Sequence, residues 1–205
     1  MTKVLIGMPT RQDPRACASD RAFMLMTRHN TTFERCARSP VSISRNWLVR
    51  LFIDKYGDYT HMLMFDDDVV PPLDCIERLL ALDSDVALGL VPFWLEGRAR
   101  FNAVPKGCTS FPLVPPDGPF EAITAGGACM LLRRSVFRTI GFPWFRWLES
   151  RAGQIFGEDM DFIERCVIAG LSVRCNPEVL CEHWPWQSVP LLELYRSFKE
   201  NGHAG

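Results

Sequence analysis

Three consecutive aspartates, Asp66, Asp67 and Asp68, end an apolar run that begins at Thr60. Such a run predicts a buried strand of a parallel sheet. Ligands of open α/β sheets bind beyond the carboxyl ends of the strands, and crowded carboxylates repel one another unless a cation offsets their charge. The triplet therefore predicts a site for Mg²⁺ or Mn²⁺, which take oxygen ligands together with substrate phosphates. A solvated acidic turn before the helix that follows Pro71 is the alternative.

A second group of acids, Glu158, Asp159 and Asp161, opens a helical pattern that stops at Gly170. Carboxylates at this position could act as general bases in a cleft. Acids at a helix N-terminus also complement the helix dipole, and Asp161 can pair with Arg165 one turn later. A structural role is therefore an equal alternative for this group in isolation.

Composition limits the classes of protein to be considered. With 205 residues and 47% hydrophobic content, the chain can bury a sizeable core in a single domain. A formal net charge of -1 and a pI near 6.4 provide no general attraction to nucleic acid or to anionic membranes. The cysteines form no C-x-x-C pair, so no zinc ribbon or redox motif is predicted. No leader-like or membrane-spanning run is recognised, and we expect a soluble cytoplasmic protein.

Apolar spacing predicts strands and helices in alternation around the first acid group. The predicted strands are 3–8, 31–37, 60–70 and 85–94, and the predicted helices are 16–26, 43–52 and 73–80. In the second of these helices, Ile43, Trp47, Leu48 and Phe52 would form the buried stripe, with Arg45 outside it. The alternation favours a doubly wound parallel sheet.

The second half of the chain is less regular. Residues 95–120 are rich in proline and predict an irregular excursion over the site. Gly126 and Gly127 precede an apolar strand, where paired glycines allow a ligand or another backbone to approach closely; a simple turn is the alternative. Beyond them we predict strand 129–132, helix 136–140, aromatic loop 142–147, the acidic segment 157–161 running into helix 162–169, strand 171–175 and an amphipathic tail helix over 189–198.

Taken together, these segments resemble metal-dependent glycosyltransferases of the GT-A fold, closest in pattern to glycosyltransferase family 2. The resemblance covers nearly the whole chain through KVLIGMPT, SRN, FDDDVV, AGGACMLLRR, GEDMDF and EHW, in that order. It implies an α/β, single-domain GT-A (Rossmann-like) fold over 1–205, with a mostly parallel central sheet flanked by helices. Residues 1–94 would bind the nucleotide sugar, and residues 95–205 would form the acceptor side.

The resemblance also assigns metal-binding roles. Asp66 and Asp68 would form the DxD motif, with Asp68 on the metal and Asp66 nearer the ribose or a metal-bound water. His183 would be an additional metal ligand, although a lone histidine is more often a hydrogen-bonded core residue. Asp67 would lie on the substrate side without a primary role. A bound Mn²⁺ or Mg²⁺ would stabilise the charge that develops on the departing diphosphate.

The remaining implied roles concern the substrates. Thr10, Arg11 and Arg45 match positions where the family handles the nucleotide. Asp159 resembles the catalytic base, which would deprotonate an acceptor hydroxyl in a single displacement with inversion. Glu158 would hold donor or acceptor hydroxyls.

Further substrate contacts are expected at Gly126, Gly127 and Trp144. The aromatic segments 93–94 and 144–147 could stack on sugar faces, with core packing as an equal alternative. The donor would be a nucleotide sugar, with UDP favoured because it is common among the relatives, and the acceptor a small molecule, a glycan or, less favoured, a nucleic acid. Basic side chains that could meet acceptor phosphates are Arg98, Arg100, Lys106, Arg146 and Arg151.

Two other functions compete with sugar transfer. FDDDVV also fits the DxDx[VT] start of haloacid dehalogenase-like phosphatases, which need a lysine before their final acidic motif. Between Asp68 and Glu158 the chain offers only Lys106. The other alternative is a non-catalytic nucleotide-sugar-binding module, which would have no need of a base at Asp159.

Overall fold

The computed structural model describes residues 2–10, 14–95, 97–149 and 155–184. Arg11, Arg151 and the predicted tail helix over 189–198 lie outside these residues. The helices are α1 (Ala16–His29), α2 (Val41–Lys55), α3 (Cys75–Leu80), α4 (Arg134–Ile140) and α5 (Glu158–Ile168). The strands are β1 (Val4–Thr10), β2 (Thr32–Ala37), β3 (His61–Phe65), β4 (Val69–Val70), β5 (Val86–Leu90), β6 (Pro92–Leu95), β7 (Arg98–Phe101), β8 (Ala103–Pro105), β9 (Phe120–Ala125), β10 (Cys129–Arg133), β11 (Leu148–Glu149), β12 (Ile155–Phe156), β13 (Val173–Leu180) and β14 (Glu182–His183).

An eight-stranded sheet in the order β2-β1-β3-β10-β5-β13-β9-β8 forms the centre of the molecule. β1 is parallel to β2 and β3, and β13 is parallel to β5. β10 runs antiparallel between β3 and β5, and β9 also runs against the main direction. The predicted fold class is confirmed: this is a mixed α/β structure with a large, mostly parallel sheet, consistent with a Rossmann-like GT-A fold.

Helices cover both faces of this sheet, which explains why its central strands are apolar throughout. One core cluster joins the sheet to α2, α4 and α5 through Phe52, Phe137 and Phe162. The other joins it to α1 and α3 through Leu25 and Leu79. The carboxyl ends of β1 and β3 therefore lie between two layers of helices, α2, α4 and α5 on one face of the sheet and α1 and α3 on the other.

The sequence predicts one strand over residues 60–70, but the structure has two short strands there. β3 ends at Phe65, the acid triplet 66–68 follows outside the sheet, and β4 then pairs with β14. Residues 95–120 are also more regular than expected, because β6 and β7 form a hairpin and β8 joins the main sheet. The irregular part is confined to residues 106–119.

The buried face of α2 also differs from the prediction. Ile43, expected in the apolar stripe, is 44% exposed, whereas Arg45 is only 2% exposed and lies on the face of Leu48 and Phe52. A guanidinium can occupy such a position only when its charge is paired and hydrogen-bonded. Its partners are the acids of the candidate site.

Among the described residues, no helix combines the length and the apolar character that a membrane span needs.

Candidate functional site

A cleft at the carboxyl ends of β1 and β3 brings the two acid groups together. It is lined by the triplet 66–68, by Glu158 and Asp159 at the start of α5, and by Arg45 of α2. Its other lining residues are Pro9, Thr10, Val41, Trp147 and Gly157. The segments that meet here are about ninety residues apart in sequence, so only the fold unites them.

Arg45 connects the two groups of acids. Its Nη2 donates to Asp66 Oδ1 at 2.6 Å, its Nε donates to Glu158 Oε1 at 3.2 Å, and its Nη1 donates to the carbonyl oxygen of Gly127 at 3.2 Å. Burial alone would lower the pKa of Arg45, but the charges of Asp66, Asp159 and Glu158 outweigh it, and the pKa is raised. Arg45 therefore stays protonated and fixes the relative position of the carboxylates. A contact between Arg45 and a nucleotide is still a prediction.

Asp66 is the most strongly perturbed acid of the cleft. The pKa of Asp66 is raised to about 7, chiefly because burial disfavours the charged form; Arg45 lowers it, and the neighbouring Asp68, Asp159 and Glu158 add to the increase. Its backbone N–H donates to the carbonyl oxygen of Ala128, just before β10, at 3.1 Å. Burial and like charges together account for this shift, and an added cation would lower the pKa.

Asp67 faces the end of β1. The hydroxyl of Thr10 donates to its carboxylate, and the backbone N–H of Arg15 donates to its carbonyl oxygen at 3.0 Å. Thr10 itself is 1% exposed. The middle residue of the triplet thus attaches the acidic turn to β1 and to the start of α1.

His183 lies beside Asp68 and provides a test of whether a cation fits there. Its Nδ1 lies 2.7 Å from the carbonyl oxygen of Pro92, which can only accept, so Nδ1 carries a proton. Its Nε2 lies 3.5 Å from Asp68 Oδ2. Burial lowers the pKa of His183, but the hydrogen bond and charge of Asp68 outweigh it, and the pKa is raised. An Nε2 lone pair facing a carboxylate requires a proton or a cation between them, so the pair suits a metal ion.

The described residues contain no group of three or more His, Cys, Asp or Glu side chains arranged to hold a metal ion. A cation held by one or two protein ligands and completed by substrate phosphates needs no such group. Asp68, His183 and Asp66 are the residues whose chemistry fits this arrangement. The backbone N–H of Trp184 donates to the carbonyl oxygen of Asp68 at 2.7 Å, which holds the two ligand segments together.

Asp159 is held by backbone donors on both oxygens. The N–H of Gly127 donates to Oδ2 and the N–H of Met160 donates to Oδ1, each at 2.8 Å. A Cβ at Gly127 would lie 2.8 Å from Asp159 Cβ and 2.9 Å from the end of Met130. The group that approaches this glycine is therefore the side chain of Asp159. Gly126 is less crowded, and substrate contacts at either glycine stay predictions.

The aromatic candidates divide between core and surface. Trp144 is 6% exposed, and its indole N–H donates to the carbonyl oxygen of Phe137 at 2.8 Å, so it lies in the core and does not line the cleft. Trp147 lines the cleft instead. Phe93 packs against Phe111 with ring centroids 5.1 Å apart. Core packing therefore accounts for Trp144, whereas Phe93 packs on another half-buried ring outside the two core clusters.

The basic residues proposed for acceptor phosphates mostly have partners within the protein. Lys106 pairs with Glu121 at 2.7 Å, and Arg146 pairs with Asp161 at 3.1 Å. Arg165 pairs with the same aspartate at 2.8 Å, which confirms the predicted pair within α5. Arg100 donates to the carbonyl oxygen of Phe111 at 2.7 Å.

Two positioning residues of α2, Ser44 and Asn46, belong to the SRN segment but were assigned no role from the sequence. Ser44 accepts the N–H of Arg38 at 2.8 Å, and the carbonyl oxygens of Arg38, at 2.9 Å, and Thr10, at 3.3 Å, share its single hydroxyl hydrogen. Asn46 donates to the carbonyl oxygen of Phe145 at 2.6 Å and accepts the N–H of Trp144 at 3.0 Å. Their position next to Arg45 in the sequence was the only sign that they belong near the site.

No protein-family model matches the sequence, and no curated protein matches it either. Among solved structures, the chain is similar to A197 from STIV, with 18% identity and a TM-score of 0.64, over 89% of this chain and 85% of that one. At this identity the similarity concerns the fold alone.

Two other similar structures have lower scores. One is a nucleoside-diphosphate-sugar pyrophosphorylase from Vibrio cholerae RC9, with 9% identity and a TM-score of 0.48, over 88% of this chain and 94% of that one. The other is a mutant Drosophila β-1,4-galactosyltransferase 7 in complex with manganese, UDP-Gal and xylobiose, with 12% identity and a TM-score of 0.45, over 96% of this chain and 80% of that one. At these scores neither similarity bears on the activity of this chain.

Proposed function

We propose that the protein is a metal-dependent glycosyltransferase that moves a sugar from a nucleotide diphosphate sugar, with UDP favoured, to an acceptor hydroxyl with inversion. One observation carries this proposal: the triplet 66–68 and Asp159 line the same cleft at the carboxyl ends of the strands. Separate carboxylates for a cation and for a proton are the requirements of such a transfer.

Asp68, His183 and Asp66 would hold Mn²⁺ or Mg²⁺ on one side of the cleft. When bound, the metal would stabilise the negative charge that develops on the diphosphate. The proximity of His183 to Asp68 supports this assignment, because the histidine is fixed through Nδ1 and directs Nε2 toward the carboxylate.

Asp159 would accept the proton of the attacking hydroxyl. The donors on its two oxygens are neutral backbone groups, which orient the carboxylate, and an ionised carboxylate has further lone pairs for a hydroxyl. Glu158 is 4% exposed and bonded to Arg45, so any contact it makes with a sugar hydroxyl would come in addition to that structural role.

The phosphatase alternative lacks support at this cleft. Among the described residues that line it, none is a lysine, the residue that such phosphatases need beside the phosphoryl group. The fixed orientation of Asp159 also favours a catalyst over a module that only binds.

A thermal-shift panel of UDP-, GDP- and CDP-linked hexoses, with and without Mn²⁺, tests the donor assignment. A ligand at about a hundred times its dissociation constant should stabilise the folded protein by about 2.7 kcal/mol. Asp68→Asn should abolish the Mn²⁺-dependent part of the shift. Asp159→Asn should keep the shift and lose hydrolysis of the donor.

Asp83→Asn is the matched control, because Asp83 is an exposed surface residue paired with Arg133. It should keep both the shift and the hydrolysis. Absence of any Mn²⁺-dependent shift in the wild-type protein, or full hydrolysis by Asp159→Asn, would contradict the proposal.

A further inference from the structure

Asn102 lies between β7 and β8, outside the cleft, and is 5% exposed. Its backbone N–H donates to the carbonyl oxygen of Val91 at 3.1 Å, and its side-chain Oδ1 accepts the N–H of Val91 at 2.8 Å. These two bonds close the open end of the β6–β7 hairpin. They use the backbone and the side chain of the same residue, so the side chain is fixed relative to the hairpin.

The same asparagine binds the glycine pair on its other side. Its Nδ2 donates to the carbonyl oxygen of Gly126 at 3.0 Å and to that of Gly89 at 3.4 Å. The N–H of Gly126 donates in turn to the backbone carbonyl of Asn102 at 2.8 Å. The side-chain amide thus has a partner for its acceptor and for both of its donor hydrogens, as a buried amide requires.

The peptide unit between Gly126 and Gly127 connects Asn102 to Asp159 in the cleft. The carbonyl of Gly126 and the N–H of Gly127 belong to one rigid plane, and in a trans peptide they point in opposite directions. Asn102 holds the carbonyl side of this plane. The N–H on the other side donates to Asp159 Oδ2 at 2.8 Å.

We propose that Asn102 is a positioning residue for Asp159: it sets the plane of the 126–127 peptide and thereby the orientation of the carboxylate. The consequence for turnover rests on the proposed role of Asp159 as the base. Glycine has no side chain whose packing could orient this peptide, so its orientation depends on the hydrogen bonds between Gly126 and Asn102.

The metal side of the cleft should be insensitive to Asn102. His183 is held by the backbone carbonyl of Pro92, and the backbone N–H of residue 102, which every substitution there except proline keeps, still binds the carbonyl oxygen of the adjacent Val91. Replacement of Asn102 should therefore lower the rate of a step that needs Asp159 while it leaves nucleotide and metal binding unchanged.

The experiment compares Asn102→Ala with Asn176→Ala. Asn176 is a matched buried asparagine, 6% exposed, which donates to the carbonyl of Arg78 at 3.4 Å and accepts the N–H of Glu178 at 3.0 Å. With UDP-hexose and Mn²⁺, Asn102→Ala should lower kcat for donor hydrolysis by about 10- to 100-fold, as loss of an orienting partner does elsewhere. The Kd for UDP with Mn²⁺ should stay within about twofold of wild type. Asn176→Ala should change neither quantity.

Amide hydrogen exchange at Gly127, followed by NMR, supplies a readout that is independent of activity. Exchange of this amide should accelerate in Asn102→Ala and not in Asn176→Ala. If Asn102→Ala does not fold, Asn102→Leu is the second variant, because it fills a similar volume but cannot donate to Gly126. It should show the same loss of kcat and the same faster exchange.

Unchanged exchange at Gly127, or equal losses of kcat in the two alanine variants, would overturn the positioning role. If the wild-type protein neither binds nor hydrolyses any UDP-hexose, the proposed function fails. The exchange comparison then still decides whether Asn102 orients the peptide that holds Asp159.

Discussion

The two sides of the cleft orient their carboxylates by different means. On the triplet side, each aspartate faces a different side chain: Arg45, the Thr10 hydroxyl or His183. On the other side, Asp159 is held by two backbone N–H groups. Among these partners, His183 can exchange a proton for a cation, whereas backbone donors cannot. The difference agrees with the proposed ion binding on one side and the proposed proton acceptor on the other.

Arg45→Met should have the largest effect, because it removes a buried residue that contacts both sides. Asp66 and Glu158 would lose their cation, and breaking a buried ion pair by removing one partner costs about 3–5 kcal/mol. Urea unfolding should show this loss in the free energy of unfolding. A second substitution, Glu158→Gln, should recover part of it, since it removes one of the two unpaired charges.

Arg133→Met is the control for that variant. Arg133 pairs with Asp83 on the surface, where the side chains are 37% and 90% exposed, and such pairs contribute about 0–1 kcal/mol. Equal losses in the two variants would show that Arg45 does not join the two sides.

Gly127→Ala should perturb the Asp159 side alone. The new Cβ would lie 2.8 Å from Asp159 Cβ, and overpacking of this kind costs about 1–3 kcal/mol. Donor hydrolysis should fall with the displaced carboxylate, while Mn²⁺-dependent nucleotide binding persists. Gly118→Ala provides the comparison, because nothing lies within 4 Å of a Cβ there. Wild-type hydrolysis by Gly127→Ala would argue against a fixed Asp159.

Thr10→Val should have the smallest effect and should act on the triplet side. It keeps the shape of the buried side chain and removes the hydroxyl that donates to Asp67. A hydrogen bond of this kind contributes about 1 kcal/mol to the free energy of unfolding. Chemical denaturation should detect that loss, and Gly127 amide exchange should stay at the wild-type rate. A change at Gly127 would mean that the two sides are coupled through β1.

The parts that the sequence predicted are those with a local pattern. β1 and β5 are continuous apolar runs because both of their faces are covered, and α5 begins at a run of acids that suits a helix N-terminus. The triplet could be placed at a site for the same reason, since it ends a buried strand.

The parts that could not be predicted depend on contacts between distant segments. The SRN segment placed Arg45 at the site, but the apolar spacing put it outside the buried stripe, and its pairing with Glu158, 113 positions away, has no local pattern. Asn102 lies in a proline-rich stretch without periodicity, and Trp144 gave no local sign that it enters the core while Trp147 lines the cleft. The antiparallel insertion of β10 between β3 and β5 is likewise a property of the complete sheet.

The contacts of Ser44, Arg45 and Asn46 depend on the register of α2, because these three residues are consecutive. Successive residues of a helix point about 100° apart, which lets these three reach three different segments. Deletion of a single residue between Asn46 and Phe52 would rotate all three side chains by that angle relative to the end of the buried stripe and disturb their contacts with the acid groups and the aromatic loop. Homologous chains with the same cleft should therefore keep the spacing from Ser44 to Phe52 unchanged.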